Sequence, residues 1–128
     1  MTLDYAAAAD LLERYGRAWE AFDGDSWTDL FTDDVTYQED PFEAPIVGHN
    51  AVRAYLLEGS ERQKDVEFTI ERHWVSGSTV LTSWHASYVG RSNDARVRLA
   101  GFLTMDVADD GRIARLREWW HRRESAAA

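Results

Sequence analysis

From Val66 onward the chain stops repeating every three to four residues and begins to alternate. That switch constrains the fold more than any other feature of the sequence. Val66, Phe68 and Ile70 alternate as a strand. Ser76-Gly77-Ser78 reads as a turn, residues 79–89 as a strand, Arg91-Ser92-Asn93-Asp94 as a turn and residues 95–107 as a strand. Asp109-Asp110-Gly111 then makes a tight hairpin into a last strand, Ile113–Arg122. The part before this is mostly helical. Leu11, Leu12, Tyr15, Trp19 and Phe22 form one apolar stripe on a helix over 4–23, which Gly24 stops. Asp25 or Ser26 caps a short second helix through Phe31, and Gly48-His49-Asn50 opens a third, with Val52, Tyr55 and Leu56 on one face and Gly59 as its stop. Helices first and hairpin-linked strands after predict an α+β fold, with helices on one face of a mixed or antiparallel sheet. If that sheet bends strongly, it encloses a cone, the kind of concavity that small-molecule sites use.

At 128 residues, the chain is expected to form a single domain, residues 1–128, with one core. It is 45% hydrophobic and 12% aromatic, too apolar for disorder, and no apolar run is long enough to span a membrane. There is no secretory leader pattern at Met1 and no Cys, so a soluble cytoplasmic protein is expected, without disulfides or a thiolate nucleophile. Net charge is −9, and of the 14 bases all but Lys64 are Arg. That balance repels phosphate backbones, so neither nucleic acid nor membrane is expected as a partner. The four His (His49, His73, His85, His121) lack ligand spacing, and no glycine-rich phosphate loop or nucleophile elbow occurs. No metal and no cofactor are therefore expected.

The stretch Leu30–Gly48 carries the strongest hint of chemistry. A β-type run, Val35 to Asp40, halts at Pro41, which cannot donate to a ladder and holds Asp40 in extended geometry. Phe42, Pro45 and Ile46 follow. A carboxylate beside that much apolar surface is either solvated at a rim or desolvated into a useful base.

Several of these pieces, in order, resemble the NTF2-like superfamily in its SnoaL-like and ketosteroid-isomerase-like branch. They are Arg14-Tyr15, Gly24-Asp25, Phe31-Thr32-Asp33-Asp34, Glu39-Asp40-Pro41-Phe42, Gly48, Asp110-Gly111-Arg112-Ile113 and Glu118-Trp119-Trp120. The resemblance implies a cone, with a strongly curved sheet wrapped around three N-terminal helices and an apolar pocket. It aligns Asp40 with a general base, Tyr15 with an oxyanion-hole tyrosine and Trp120 with an aromatic of the pocket wall. Where the ketosteroid isomerases carry a protonated Asp as second oxyanion donor, this chain has Leu103. Losing such a donor typically costs roughly 2.7–4 kcal/mol of barrier, so efficient steroid isomerisation is not expected.

Taking Leu103 as inward, strand alternation also turns Leu99, Gly101, Met105, Leu116, Glu118 and Trp120 inward. On the third strand, Leu81, Ser83, His85 and Ser87 are read as inward, a register that rests on the 76–78 turn. With Trp19, Tyr55 and Leu56 from the helices, the expected pocket is apolar, with Tyr15, Asp40, Ser83, His85 and Glu118 as its polar groups. Asp40, Tyr15 and His85 are the expected catalytic residues, and His49, His73 and His121 are read as surface or cap residues. The outer face would then show Thr82, Trp84, Ala86, Tyr88, Arg96, Arg98, Phe102, Arg115, Arg117 and Trp119. Such an aromatic and Arg mixture suits an interface, and the resemblance implies a homodimer through it. Three functions follow as expectations. One is a cofactor-free acid/base enzyme (isomerase, cyclase, dehydratase or epoxide hydrolase) acting on a small apolar molecule. The others are a non-catalytic binder of such a molecule and an interaction domain with a vestigial pocket.

Overall fold

The computed structural model describes residues 2–127; Met1 and Ala128, the ends of the expected domain, lie outside the described residues. Helix α1 (Tyr5–Ala21) starts at Asp4, whose carboxylate accepts from the Ala7 amide at 2.7 Å, and ends at Phe22 in left-handed geometry (φ 49°). Helix α2 (Gly24–Thr28) is capped by Asp23. Strand β1 (Phe31–Gln38) and the two-residue β2 (Ile46–Val47) precede α3 (His49–Arg62). Four long strands follow: β3 (Gln63–Ser76), β4 (Thr79–Gly90), β5 (Arg96–Val107) and β6 (Ile113–Ser125).

The sheet order is β2-β1-β6-β5-β4-β3, antiparallel throughout except where β1 runs parallel to β6. The helices cover one face of this curved sheet. Between them lies the core, in which Leu12, Trp27, Phe31, Val52, Leu103, Met105 and Leu116 are almost wholly buried. The expected α+β architecture is the observed one.

Three local expectations are corrected. Gly59 does not stop α3; it sits buried inside the helix one turn before the end, with the Phe22 ring packed 3.6 Å from where its Cβ would be. His73 is not a surface residue. Its ring stacks on Tyr5 at 3.8 Å, and Nε2 lies 3.2 Å from the Tyr5 carbonyl oxygen.

The third correction is the register of β4. Thr82 pairs with Leu103, Trp84 with Gly101 and Ala86 with Leu99, so Val80, Thr82, Trp84 and Ala86 face the core. Leu81, Ser83, His85 and Ser87 face outward, the reverse of the expectation. The two-residue turn Gly77-Ser78 pairs Ser76 with Thr79 and sets this parity. Packing enforces it: the Trp84 indole lies over Gly101, where an added Cβ would meet Trp84 Cε2 at 2.6 Å and the Trp119 carbonyl at 2.9 Å. Only a glycine lets the ring approach that closely.

Candidate functional site

A cavity of about 270 Å³ opens between the helices and the inward face of β4, β5 and β6. Its walls are aromatic and aliphatic: Trp19, Trp27, Tyr55, Leu56, Trp84 and Leu99. Seven of the expected residues line it, namely Tyr15, Trp19, Tyr55, Leu56, Leu99, Glu118 and Trp120. Leu103 is inward but fully buried in the core behind it.

The other expected residues are elsewhere. Asp40 is exposed, and its carboxylate accepts from the Phe42 amide at 2.9 Å, closing its own loop. The reason is parity on β1. Val35 and Tyr37 point into the core, so Glu39 continues the inward set and Asp40 continues the outward one. His85 is exposed on the outer face, with Nε2 2.6 Å from Glu71 Oε2. Ser83 and Leu81 share that outer face through the register of β4.

The polar floor of the cavity joins two distant parts of the chain. Tyr37 donates to Glu118 Oε1 at 3.3 Å, and the Tyr37 and Tyr15 hydroxyls lie 3.0 Å apart. With the Tyr37 proton directed at Glu118, Tyr15 donates to Tyr37. The first of these bonds is long for an O–H···O contact, so a ligand oxygen can compete for it. Beside them, Tyr55 donates to Glu39 Oε2 at 2.7 Å.

Glu118 is buried, with 6% of its surface exposed. Burial pushes its carboxyl up to about 8, the charge of Glu39 pushes the same way, and the Tyr37 hydrogen bond opposes them. The carboxyl therefore holds its proton at neutral pH. Burial, and then the charge of Glu118, raise Tyr15 and Tyr37 well above the usual phenol range, so both remain neutral donors.

Tyr37, Glu39, Trp27 and Trp84, with Arg62, Tyr88 and Arg122 farther along the cavity, are site residues that the sequence reading missed. Alternation through Val35 and Tyr37 would have found the first two, and the bulk of Trp84 in an otherwise small-residue strand would have turned it inward. The Trp84 Nε1 is buried and lacks a hydrogen-bond partner among the described residues, which leaves a donor in the wall unsatisfied. No group of three or more His, Asp or Glu able to hold a metal occurs among the described residues.

A curved sheet closed by three helices over a cavity floored by a carboxyl and two tyrosines defines an NTF2-like pocket protein. Residues 12–116 match the family model described as the SnoaL-like domain, and the chain belongs to that family. The match covers Tyr15 and Tyr37 and stops short of Glu118.

Comparison with curated proteins finds no match. Among solved structures, the chain is similar to an LEH-like epoxide hydrolase of M. tuberculosis at 24% identity and a TM-score of 0.76, with 91% of this chain and 84% of that one covered. It is similar to SalBIII, an epoxide hydrolase/cyclase-like enzyme, at 18% identity and 0.81, covering 92% and 93%. A computationally designed 17-OHP binder also matches, at 20% identity and 0.79, covering 93% and 98%. At such identities the likeness shows the fold and leaves the reaction to the residues of the cavity.

Proposed function

We propose that this chain is a cofactor-free acid/base enzyme acting on a small, largely apolar molecule that carries an epoxide or carbonyl oxygen. The observation that carries this reading is Glu118: a buried carboxyl in the cavity floor, hydrogen-bonded to a tyrosine pair and protonated at neutral pH. A protonated acid is what an epoxide or carbonyl oxygen needs as charge develops on it. Tyr37 and Tyr15 add donors to the same oxygen. Glu39, held by Tyr55 at the cavity edge, is the carboxylate available to take a proton from water or from a carbon beside the carbonyl. In this reading Glu39 takes the part expected of Asp40, and Glu118 that of an acid.

A panel of small epoxides and enones tests the reading. Turnover should fall at least 100-fold in Glu118→Gln, the size of a lost general acid, and kcat should decline on a limb near pH 8 as Glu118 deprotonates. A Glu118→Gln protein with wild-type turnover overturns it.

The rest of the reading concerns setting. We propose that the chain works as one domain in the cytoplasm; no helix among the described residues is long and apolar enough to cross a membrane. We further propose a homodimer through the outer sheet face. Trp84 and Tyr88 do not belong to that face, but Trp74, Phe102 and Trp119 do. Trp74 and Trp119 are 39% and 41% exposed, with Arg72 and Arg117 stacked over them. Light scattering at micromolar concentration should give twice the chain mass, and Trp119→Asp should halve it. A wild-type monomer at that concentration excludes the dimer.

A further inference from the structure

The mouth of the cavity is built from two arginines, each on the inward face of its element. Along α3, the cavity-lining positions are Tyr55, Leu56, Gly59 and Arg62, one helical stripe, with Gln63 following at the start of β3, so Arg62 sits at the end of the helix. Along β6, Glu118, Trp120 and Arg122 are the inward set, so Arg122 ends the same row that begins with the buried acid. The Arg62 side chain has no hydrogen-bond or ion-pair partner among the described residues. Arg122 contacts Glu124, with Nη1 3.4 Å from Oε2, and Tyr88, which also lines the cavity.

The Arg62 guanidinium is exposed at the cavity rim and unpaired among the described residues, in a chain of net charge −9 where acids outnumber bases 23 to 14. The acids of the lining do not answer it. Glu118 lies four residues before Arg122, a rise of about 13 Å along the strand. Glu39 follows Gln38, which pairs with Arg117, so it belongs to the Glu118 end as well. The cavity is therefore polarised: acid and phenols at the floor, aromatic rings between, cations at the mouth.

We infer that the ligand of this cavity is a small monocarboxylate, with its reacting oxygen at the floor and its carboxylate held by Arg62 and Arg122. The inference rests on the proposed function for the floor and adds the substrate class. Arginine suits the role because its planar fork takes both carboxylate oxygens. The length of the row limits the two oxygen-bearing ends to about 13 Å apart. The cavity volume is about 270 Å³. A cavity and a row of those sizes accommodate a one-ring or short-chain acid.

Quenching of the cavity tryptophans reports binding of three probes: 4-ethylphenol, 3-(4-hydroxyphenyl)propionate and the methyl ester of the latter. Their phenol stands in for the reacting oxygen. The free acid should bind at least tenfold more tightly than its ester. That ratio should fall close to one in Arg62→Gln combined with Arg122→Gln, and it should recover in part with Arg62→Lys. A wild-type ratio of one overturns the inference, as does a tenfold ratio that persists in the double variant. The floor is tested separately. Binding of 4-ethylphenol that weakens in Tyr37→Phe upholds the floor whatever the acid does, whereas no binding of 4-ethylphenol at millimolar concentration removes the floor reading together with the inference drawn from it.

Discussion

Raising the pH from 5 to 8 should destabilise the wild-type protein by several kcal/mol relative to Glu118→Gln. In the unfolded chain Glu118 titrates near 4.5, and in the folded protein near 8. Between those values the folded state keeps a proton that the unfolded state has released. Stability therefore falls as pH rises through this window, by up to about 1.4 kcal/mol per unit and roughly 5 kcal/mol in all. Below pH 4.5 both states are protonated and the contribution is complete; above 8 it has gone. Gln keeps an acceptor for the Tyr37 hydroxyl and removes the titration, so the variant gains on the wild type across the window. Urea unfolding of both proteins at pH 5 and pH 8 measures this directly. A stability difference that does not change with pH would show that the carboxyl is ionised in the folded protein, and the assignment of Glu118 as an acid would fail with it.

Trp27→Ala should lower stability by about 3–5 kcal/mol, the usual cost of deleting a buried large aromatic. Trp27 is 2% exposed and touches nearly everything the site depends on. Its ring lies 5.0 Å from that of Tyr15, 5.2 Å from Phe31 and 6.2 Å from Tyr37, and its Nε1 donates to the Val52 carbonyl at 3.0 Å. Deleting it takes a wall from behind both hydroxyls and unties α2 from α3. A drop in Tm of roughly 10–20 °C is expected for a chain of this size. Trp27→Phe, which loses the hydrogen bond and part of the ring, should fall between. A Trp27→Ala protein within 1 kcal/mol of wild type would mean that the helices are held mainly by other contacts.

What was legible in the sequence followed from how tightly each turn constrains its strands. The Asp109-Asp110-Gly111 hairpin leaves little freedom between β5 and β6, and the inward set through Leu103 and Glu118 is the observed one. The Ser76-Gly77-Ser78 turn admits two parities, and the wrong one sent Trp84 outward and His85 inward. Side-chain size would have decided it. The set of Val80, Thr82, Trp84 and Ala86 is far more buriable than that of Leu81, Ser83, His85 and Ser87.

At the end of β1 the family motif drew attention to Asp40, while the strand's own alternation pointed to Glu39 one residue earlier. A one-residue slip exchanges the two faces of a strand. Gly59 misled in another way, since a glycine that normally ends a helix is tolerated inside one when a neighbour such as Phe22 packs over it. The contact between Tyr37 and Glu118 spans 81 residues and depends on β1 lying beside β6, an adjacency that no local pattern encodes.

That parallel pairing also sets an order of events during synthesis. Helices α1 to α3 and the hairpin of β3 with β4 can associate while the chain is still emerging from the ribosome. β1 must wait with an unfilled edge until β6, which follows the other described strands in the chain, arrives to pair with it. Until then, Tyr37 has no acid to meet, and the floor of the cavity does not exist. A nascent chain thus acquires its hydrophobic scaffold before its chemistry, and the step that completes the sheet is the same one that creates the site.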